Sequence, residues 1–441
     1  MKTLLKKIVI AILTWEARLA LKKYKPGIIA ITGSVGKTST KDAIYTVLDR
    51  HFYVRKSEKS FNSEIGLPLS ILGLPNAWNN PFGWVQNIIK GFLLLLRVNY
   101  ERRTTPYPEW LVLEIGADRP GDIEKVSSWL SPDIVIITRF GKVPVHVEFF
   151  KSREDVIREK CFLVKALKSG GLLLMNNDDE DVRGLRDMRR DALVTTWSIE
   201  HESDFQASNF EIAYEPNDKG EMKPAGIMFK VNHAGSSIPI HISGTLGRQQ
   251  VYPVLAALST GDALGLNMVS MAGSLKEHKA PAGRMRIIGG VKNTTIIDDS
   301  YNSSPVAATA ALETLRDVKT AGKKIAVLGD MLQLGKHSAK EHIRIGKEAK
   351  DCADILITVG ILARDIAKGA LENGMNEKNI FQFDTSAEAA KPVEELLVSG
   401  DMVLVKGSQA SRTEKIVEEI MAHPEDKDKL LVRQDEEWHK R

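Results

Sequence analysis

The sequence predicts an α/β protein, built from a mainly parallel sheet with an antiparallel extension and then a second, Rossmann-like sheet. Three observations predict this fold. From residue 28 to about 171, apolar runs typical of buried strands alternate with helical segments. Between residues 193 and 244 the strands become shorter and are separated by turn residues, as in antiparallel hairpins. After residue 285 the alternation starts again and gives five strand and helix units.

These patterns place the elements in order. In the first part we expect strands at 28–32, 110–117, 133–140 and 171–176, and helices that end near 50, cover 152–168 and cover about 249–264. In the second part we expect strands at 294–300, 323–330, 354–360, 379–383 and 402–408, and helices at 305–318, 338–352, 361–373, 386–397 and 411–422. The predicted organisation is an N-terminal amphipathic helix (1–26), a central domain (27–280), a C-terminal domain (281–423) and a charged tail (424–441). The tail is expected to be solvated.

Composition narrows the classes of partner. The 441 residues carry a formal net charge of only +4, with acidic and basic residues interspersed, so there is no electrostatic case for binding nucleic acid. Small molecules or peptides are the expected partners. The two cysteines, Cys161 and Cys352, argue against a disulfide framework and fit a reducing cytoplasm, which is the expected location.

Two basic, apolar segments raise the question of membrane contact. The apolar run near the N-terminus, Ile8 to Leu13, is too short to span a bilayer, and we interpret residues 1–23 as an amphipathic helix. The segment 81–98 is similar in character. Two interpretations stay open for both: packing on the protein, or contact with a membrane surface. No feature fixes the oligomeric state, and a monomer is favoured.

The segment IAITGSVGKTST at 29–40 predicts a strand, a phosphate-binding loop and a helix. Its glycines let the backbone curl closely around a polyphosphate, Lys37 supplies a cation, and Thr38 supplies a hydroxyl for Mg²⁺. The loop has the short form G-x-x-G-K-T, because Ile31 occupies the position of the first glycine in the longer motif. The predicted ATP-binding residues of the loop are Gly33, Ser34, Val35, Gly36, Lys37, Thr38 and Ser39.

Two further residues follow strand patterns and are expected at the same sheet edge as Thr38. Glu114 lies in VLEIGAD, within the predicted strand at 110–117, and His146 ends the segment IITRFGKVPVH. Ligands of open parallel sheets bind beyond the carboxyl ends of the strands, so these side chains should converge. Hydroxyl, carboxylate and imidazole groups together suit divalent metal ions beside a triphosphate.

Eight motifs occur in order: TGSVGKTSTK, SFNSEIGLPLSIL, LEIGADRPGDI, HVEFFKSREDVIREK, GRM, DDSYNSSP, VLGDMLQLG and VLVKGS. Through them the chain resembles the Mur ligase family, and most closely its D-alanyl-D-alanine-adding branch, over nearly its whole length. The resemblance implies an ATP-dependent ligase of cell-wall (peptidoglycan) synthesis. In such enzymes ATP phosphorylates a carboxylate, and an amine then attacks the acyl phosphate to form an amide.

The resemblance also implies roles for residues of the first domain. It assigns catalysis to Lys37, Glu114, His146 and Lys160. Lys37 would contact the β and γ phosphates, and Thr38 with Glu114 would hold one Mg²⁺. His146 would help to hold a second Mg²⁺, and Lys160 would be carbamylated by CO₂ to give an anionic metal ligand.

The second domain would close over the nucleotide. Arg284, Asp299, Tyr301 and Asn302 are the family-implied ATP-binding residues there, with Asp299 on the ribose. Candidates for substrate contacts are Asn62, Asp330, Lys406 and Ser408, with Lys406 as partner for a carboxylate.

Two departures from the family pattern leave the substrate open. Gln249 and Pro253 replace the His and Asn that help to place adenine, and only 27 residues precede the phosphate-loop strand, where the ordinary D-alanyl-D-alanine-adding enzyme carries a UDP-binding domain. Three hypotheses follow: addition of D-alanyl-D-alanine to a UDP-muramoyl-tripeptide-type precursor; the same chemistry on another carboxylate acceptor, such as a lipid-linked, folate-like or amino-acid polymer one; or a nucleotide-binding scaffold without turnover.

Overall fold

The computed structural model describes residues 3–58, 64–96, 107–141, 149–150, 152–217, 220–435 and 438. The strands are β1 (Gly27–Thr32), β2 (Val54–Lys56), β3 (Trp110–Glu114), β4 (Ile134–Ile137), β5 (Leu172–Asn176), β6 (Leu193–Ser198), β7 (Phe205–Pro216), β8 (Met222–His233), β9 (Ser236–Ser243), β10 (Arg286–Gly289), β11 (Thr295–Asp299), β12 (Lys324–Gly329), β13 (Ile355–Val359), β14 (Ile380–Phe383) and β15 (Met402–Lys406). The helices are α1 (Thr3–Tyr24), α2 (Lys37–Leu48), α3 (Gly66–Leu72), α4 (Pro81–Leu96), α5 (Asp122–Ser127), α6 (Arg153–Lys165), α7 (Glu180–Arg183), α8 (Val251–Ala263), α9 (Met268–Leu275), α10 (Pro305–Asp317), α11 (Ser338–Cys352), α12 (Arg364–Glu372), α13 (Ser386–Leu396), α14 (Glu414–Ile420) and α15 (Lys427–Leu430).

The first sheet has the order β2-β3-β1-β4-β5-β6-β7-β8-β9. Neighbouring strands are parallel from β2 to β7, and β8 and β9 are added antiparallel, which confirms the predicted mainly parallel sheet with an antiparallel extension. The expectation of shorter strands there was wrong, because β7, β8 and β9 have 12, 12 and 8 residues and are longer than β1. Alternate residues of β1 enter two different cores. Ile28 and Ala30 pack with α1, α3 and α6, whereas Ile29 and Ile31 pack with α2 and α8. The central strands are therefore covered on both faces, as their continuous apolar runs predicted.

The second sheet has the order β10-β11-β15-β12-β13-β14. β10 is antiparallel to β11, and the other strands run parallel to one another. The five predicted strand and helix units are present, and two apolar cores lie on the two faces of the sheet. This doubly wound arrangement brings the carboxyl ends of β11, β12 and β15 to one edge, where ligands of such sheets bind.

The two basic, apolar segments form helices with one buried face each. α1 buries Val9, Leu13, Ala17 and Ala20 in the first core, so part of this helix packs on the protein. α4 buries only Trp84, Asn87 and Gly91. Within the part of the chain that the structure covers, no helix is long and apolar enough to cross a membrane.

The C-terminal tail differs from the expectation of a solvated segment. Leu431, Val432 and Arg433 are buried, and Trp438 lies against the cleft that is described below. The expectation was wrong because composition alone does not show that a charged residue has a buried partner, and Arg433 has one in Glu414.

Candidate active site

The phosphate loop lies between β1 and α2, as predicted. Gly33 and Gly36 adopt φ values of 142° and 88°, which side-chain-bearing residues rarely adopt. A Cβ at Gly33 would lie 2.0 Å from Thr138 Oγ1, so only glycine allows this approach to β4. The Lys37 ammonium donates to Gly33 O at 3.0 Å and lies in the cleft. The loop therefore presents backbone amides and a cation at the start of a helix, an arrangement that suits phosphate.

Thr38 and Glu114 form the predicted pair of oxygen ligands. The Thr38 hydroxyl donates to Glu114 Oε2 at 3.0 Å and lies 3.2 Å from Oε1. The Glu114 carboxylate is buried, and the Lys41 ammonium lies 3.7 Å from its Oε2. A hydroxyl and a buried carboxylate are hard oxygen donors, so this pair fits a Mg²⁺ ion.

Lys160 is buried on α6 and close to the phosphate loop. Burial, followed by the positive charge of Lys37, lowers the pKa of the Lys160 ammonium to about 7. The attraction of Glu159 and Asp118 opposes this shift. The Glu159 carboxylate also accepts the backbone N–H groups of Gly121 and Ile123 at 2.9 and 2.7 Å. A substantial fraction of Lys160 is therefore the neutral amine near neutral pH, which is the form that reacts with CO₂.

A cleft of about 700 Å³ joins the phosphate loop to the second sheet. Its lining includes residues from both halves of the chain: Ser34, Val35, Gly36, Lys37, Thr38, Glu114, Asp118, Gly141, Arg284, Tyr301, Asn302, Ser303, Ser304, Pro305, Val306, Ala307, Leu332, Gln333, Ser408, Gln409, Ala410 and Trp438. The structure thus brings Lys37, Thr38 and Glu114 together with Arg284, Tyr301 and Asn302. Of the other predicted loop residues, Gly33 supports the turn and Ser39 is buried in α2.

Lys406 differs from its predicted role. It is 1% exposed, and its ammonium donates to Asp299 Oδ2 at 2.6 Å and to Asn302 O at 2.8 Å. Because these acceptors occupy the ammonium away from solvent, we withdraw the prediction that Lys406 holds a substrate carboxylate. Lys406 instead orients Asp299 and the loop that carries Asn302.

The two remaining substrate candidates of the second domain lie in different places. Ser408 lines the cleft, and its hydroxyl accepts from Leu332 N at 2.9 Å. Asp330 lies in a neighbouring pocket of about 400 Å³ that shares Leu332 and Ala410 with the cleft, and its Oδ1 accepts from Ala363 N at 2.7 Å. Asp330 is therefore not part of the cleft lining, and its contact with substrate stays a prediction.

Asn62 and His146 lie outside the described residues, so their predicted roles stay predictions. Across the described ranges there is no group of three or more His, Cys, Asp or Glu side chains that could hold a metal ion. Gln249, whose identity departs from the family pattern, lines a separate pocket with Phe210 and Glu313.

Sequence reasoning missed part of the cleft lining, including Asp118 and Trp438. Asp118 lies four positions after Glu114, within the motif LEIGADRPGDI. Its closeness to Glu114 in the sequence could have indicated that it belongs to the cleft. No sequence pattern indicated that Trp438 belongs to the cleft, because it is an isolated aromatic residue in a charged segment.

Two family models match this chain. The model of the Mur ligase middle domain matches residues 31–80 and 98–261, and the model of the Mur ligase, glutamate ligase domain matches residues 283–409. Together they cover the phosphate loop, Glu114, Lys160 and the second sheet.

Several individual proteins and solved structures that resemble this chain are also Mur ligases. The chain is 27% identical over 409 residues to the UDP-N-acetylmuramoyl-tripeptide–D-alanyl-D-alanine ligase of Bacillus subtilis, over 92% of this chain and 79% of that protein. The solved structure of the MurF ligase from Thermotoga maritima in complex with ADP matches with a TM-score of 0.73 and 26% identity, over 93% of this chain and 83% of that one. A MurF structure from Acinetobacter baumannii, at 21% identity and a TM-score of 0.73, supports the fold alone and covers 93% of this chain and 79% of its own.

Proposed function

This chain belongs to the Mur ligase family, and from that premise we propose that it joins D-alanyl-D-alanine to the carboxylate of a UDP-muramoyl-tripeptide. It is an ATP-dependent ligase of peptidoglycan synthesis. The observation that carries the proposal is the single cleft in which Lys37, Thr38 and Glu114 face Arg284 of the second domain. We place the reaction in the cytoplasm, where ATP is available.

The residues of the cleft support the activation of a carboxylate by ATP. The amides of the phosphate loop and Lys37 bind the phosphates, and Arg284 adds a second cation on the opposite wall. Developing negative charge on the transferred phosphoryl group is stabilised by positioned cations of this kind. Thr38 and Glu114 would hold Mg²⁺, which supplies further charge neutralisation when bound. A second ion, with His146 among its ligands, is part of the same proposal.

We also propose that Lys160 is carbamylated. The neutral amine attacks the carbon of CO₂ and a new N–C bond forms, while one C=O π bond breaks and its electron pair moves to the oxygen. One proton then leaves the nitrogen to solvent, which gives the carbamate anion. The product is an anion, so it relieves the repulsion from Lys37 that an ammonium would experience in this buried position. The carbamate also has two oxygen atoms that can bind a metal ion, whereas an ammonium has no lone pair for a metal ion.

Peripheral contact with an anionic membrane surface, through residues 1–23 and 81–98, is a further part of the proposal. The outer face of α4 carries six apolar side chains that are between 48% and 81% exposed: Phe82, Val85, Ile89, Phe92, Leu93 and Leu96. Their spacing repeats every three or four residues, so they lie on one side of the helix. α1 adds exposed Leu5, Ile8 and Trp15.

Charge favours a bilayer as the partner of this face. Exposed basic residues of the two helices include Lys6, Lys7, Arg18, Lys22 and Lys90. The only acidic residue in α1 and α4 is Glu16; it is buried, and burial raises its pKa to about 7. An apolar helix face with exposed basic residues and no exposed acidic residue on the same helices is typical of helices that lie in the interface of an anionic bilayer.

A panel of acceptors tests the proposed activity. Purified protein with ATP and Mg²⁺ is mixed with D-alanyl-D-alanine and either UDP-muramoyl-tripeptide, a lipid-linked muramoyl peptide, a folate-type glutamate or a poly-glutamate chain, and released phosphate and new amide are both measured. We expect equal amounts of phosphate and amide with UDP-muramoyl-tripeptide, and none with the Lys37→Met variant. Turnover only with another acceptor would favour the alternative substrate, and no turnover with any acceptor would favour a scaffold.

A further inference from the structure

The described residues of the tail, 431–435 and 438, include residues that pack beside the cleft. Leu431, Val432 and Arg433 are buried, and Trp438 belongs to the lining of the cleft. Val432 packs against Gly283, where a Cβ would lie 3.0 Å from Val432 Cγ1. The tail thus touches the residue that precedes Arg284 in the chain.

Arg433 joins the tail to the loop after β11. Its Nη1 donates to Ser300 O at 3.1 Å and to Glu414 Oε2 at 2.8 Å, and its Nη2 donates to Tyr301 O. The rigid fork of a guanidinium fixes the relative position of such acceptors better than a lysine would. Arg433 therefore holds the backbone that carries the Tyr301 ring.

Two guanidinium groups lie over the Tyr301 ring. Arg284 is 4.2 Å from the ring centroid and Arg433 is 5.8 Å from it. Both distances suit cation–π attraction. Arg284 lies in the wall of the cleft with Lys37, and its charge adds to the effect of burial in lowering the pKa of Lys37. A chain of contacts thus runs from the tail through Tyr301 to Arg284, which shares the cleft with the phosphate loop.

We propose that Arg433 is a positioning residue for ATP: it holds Tyr301 in place, and the Tyr301 ring holds Arg284 toward the terminal phosphate. The inference rests on the proposed function, in which Arg284 faces that phosphate. An arginine side chain without this support has several rotamers open to it, and the cost of ordering it then weakens its contact with the ligand. ADP lacks the terminal phosphate, so its binding is expected to change little.

Nucleotide binding to the full chain tests this inference without any acceptor. Calorimetry with Mg²⁺ compares ADP with a non-hydrolysable ATP analogue. For Arg433→Gln we expect the affinity for the analogue to fall about tenfold, which corresponds to the loss of roughly one charge-assisted contact. The affinity for ADP should stay within about twofold of the wild-type value. Tyr301→Leu should give the same selective loss, and the double variant should lose no more than the larger single effect, because the residues act through one chain of contacts.

The matched control is Lys427→Gln, which changes a tail residue that pairs with Glu418 at 2.6 Å on the surface; it should bind both nucleotides as the wild type does. Glu414 keeps Arg412 as a partner at 2.5 Å in the Arg433→Gln variant, which favours folding. If that variant nevertheless unfolds, Arg433→Leu combined with Glu414→Gln removes both charges. The ratio of the affinity for the analogue to the affinity for ADP is then measured for this double variant.

An unchanged ratio of analogue to ADP affinity in a folded variant would overturn the inference, as would an equal loss for both nucleotides. Wild-type protein that binds neither nucleotide would contradict the proposed function itself, and the inference with it.

Discussion

The Lys406 ammonium lies 2.6 Å from the Asp299 carboxylate, and both side chains are buried. The two residues are register partners at the ends of the parallel strands β11 and β15. Lys406 also donates to Asn302 O, so one ammonium fixes the strand end and the loop that follows it. In the proposed enzyme Asp299 binds the ribose, and Lys406 is what holds its carboxylate in position.

Lys406→Met should therefore destabilise the protein and weaken nucleotide binding together. Removing one partner leaves a buried carboxylate unpaired, and the expected cost in the free energy of unfolding is about 3–5 kcal/mol. Denaturant unfolding measures this cost. The control is Lys350→Met, which removes an exposed lysine 3.0 Å from Asp351 and should cost less than about 1 kcal/mol. Equal stability of the two variants would contradict the role given to the buried pair.

Lys160→Met should abolish ligase turnover, by at least about a thousandfold, because it removes the proposed carbamate oxygens while the phosphate loop stays intact. ADP affinity is expected to stay within a few-fold of the wild type. Carbon NMR of wild-type protein in ¹³C-labelled bicarbonate should show a carbamate signal that the variant lacks. Lys165→Met, at the exposed end of the same helix, is the control and should keep both turnover and the signal. Full activity of Lys160→Met would refute the assignment.

His278 should make stability depend on pH. It is buried after α9, its Nδ1 lies 3.0 Å from Thr46 Oγ1, and burial lowers its pKa from 6.5 to about 4, against the attraction of Asp42 and with a smaller repulsion from Lys56. The folded state therefore keeps the imidazole neutral where the unfolded chain takes up a proton. The contribution of His278 is complete above pH 6.5 and falls by about 3 kcal/mol as the pH drops to 4.

The measurement is the free energy of unfolding of the wild type and of His278→Gln at several pH values. The advantage of the wild type over the variant should shrink between pH 6.5 and 4. In the control His423→Gln, which removes an exposed histidine beside Glu425, the loss of stability that is attributed to His278 should persist. A constant difference between wild type and His278→Gln over this range would show that the imidazole does not resist protonation.

The apolar face of α4 should bind anionic membranes. We expect the wild type to float with vesicles of phosphatidylglycerol and phosphatidylcholine, more weakly with phosphatidylcholine alone, and less at high salt. Val85→Glu with Ile89→Glu places two charges on the exposed face and should reduce binding at least about tenfold.

The control for this experiment is Leu193→Glu with Val269→Glu, the same change at two other exposed apolar residues of the protein. This control should float as the wild type does. Wild-type protein that stays in solution with anionic vesicles, or that instead self-associates through α4, would argue against a bilayer as the partner.

Local patterns explain what the sequence could predict. The apolar runs, the glycines of the phosphate loop and the position of Thr38 after β1 are encoded within a few residues, and the structure has them where they were expected. Glu114 was expected near Thr38 because both follow parallel strands, and β1 and β3 are indeed neighbours. Lys160 was different, since its place in the site was implied only by the family resemblance.

Features that depend on distant parts of the chain could not be predicted. Lys406 and Asp299 are 107 residues apart, and only the pairing of β11 with β15 makes them partners. The tail is charged, which is typical of solvated segments. Arg433 is nevertheless buried, because its guanidinium donates hydrogen bonds to Glu414 and to two backbone carbonyls. Residue type gave no sign of these partners.

Transfer of a labelled oxygen tests the central claim most directly. The acceptor is prepared with ¹⁸O in the carboxylate that should react, and the protein is supplied with ATP, Mg²⁺ and D-alanyl-D-alanine. If ATP phosphorylates that carboxylate and the amine then displaces phosphate, each released phosphate carries one ¹⁸O from the acceptor, and ADP carries none. Phosphate without the label, in a reaction that still forms the amide, would contradict an acyl-phosphate ligase.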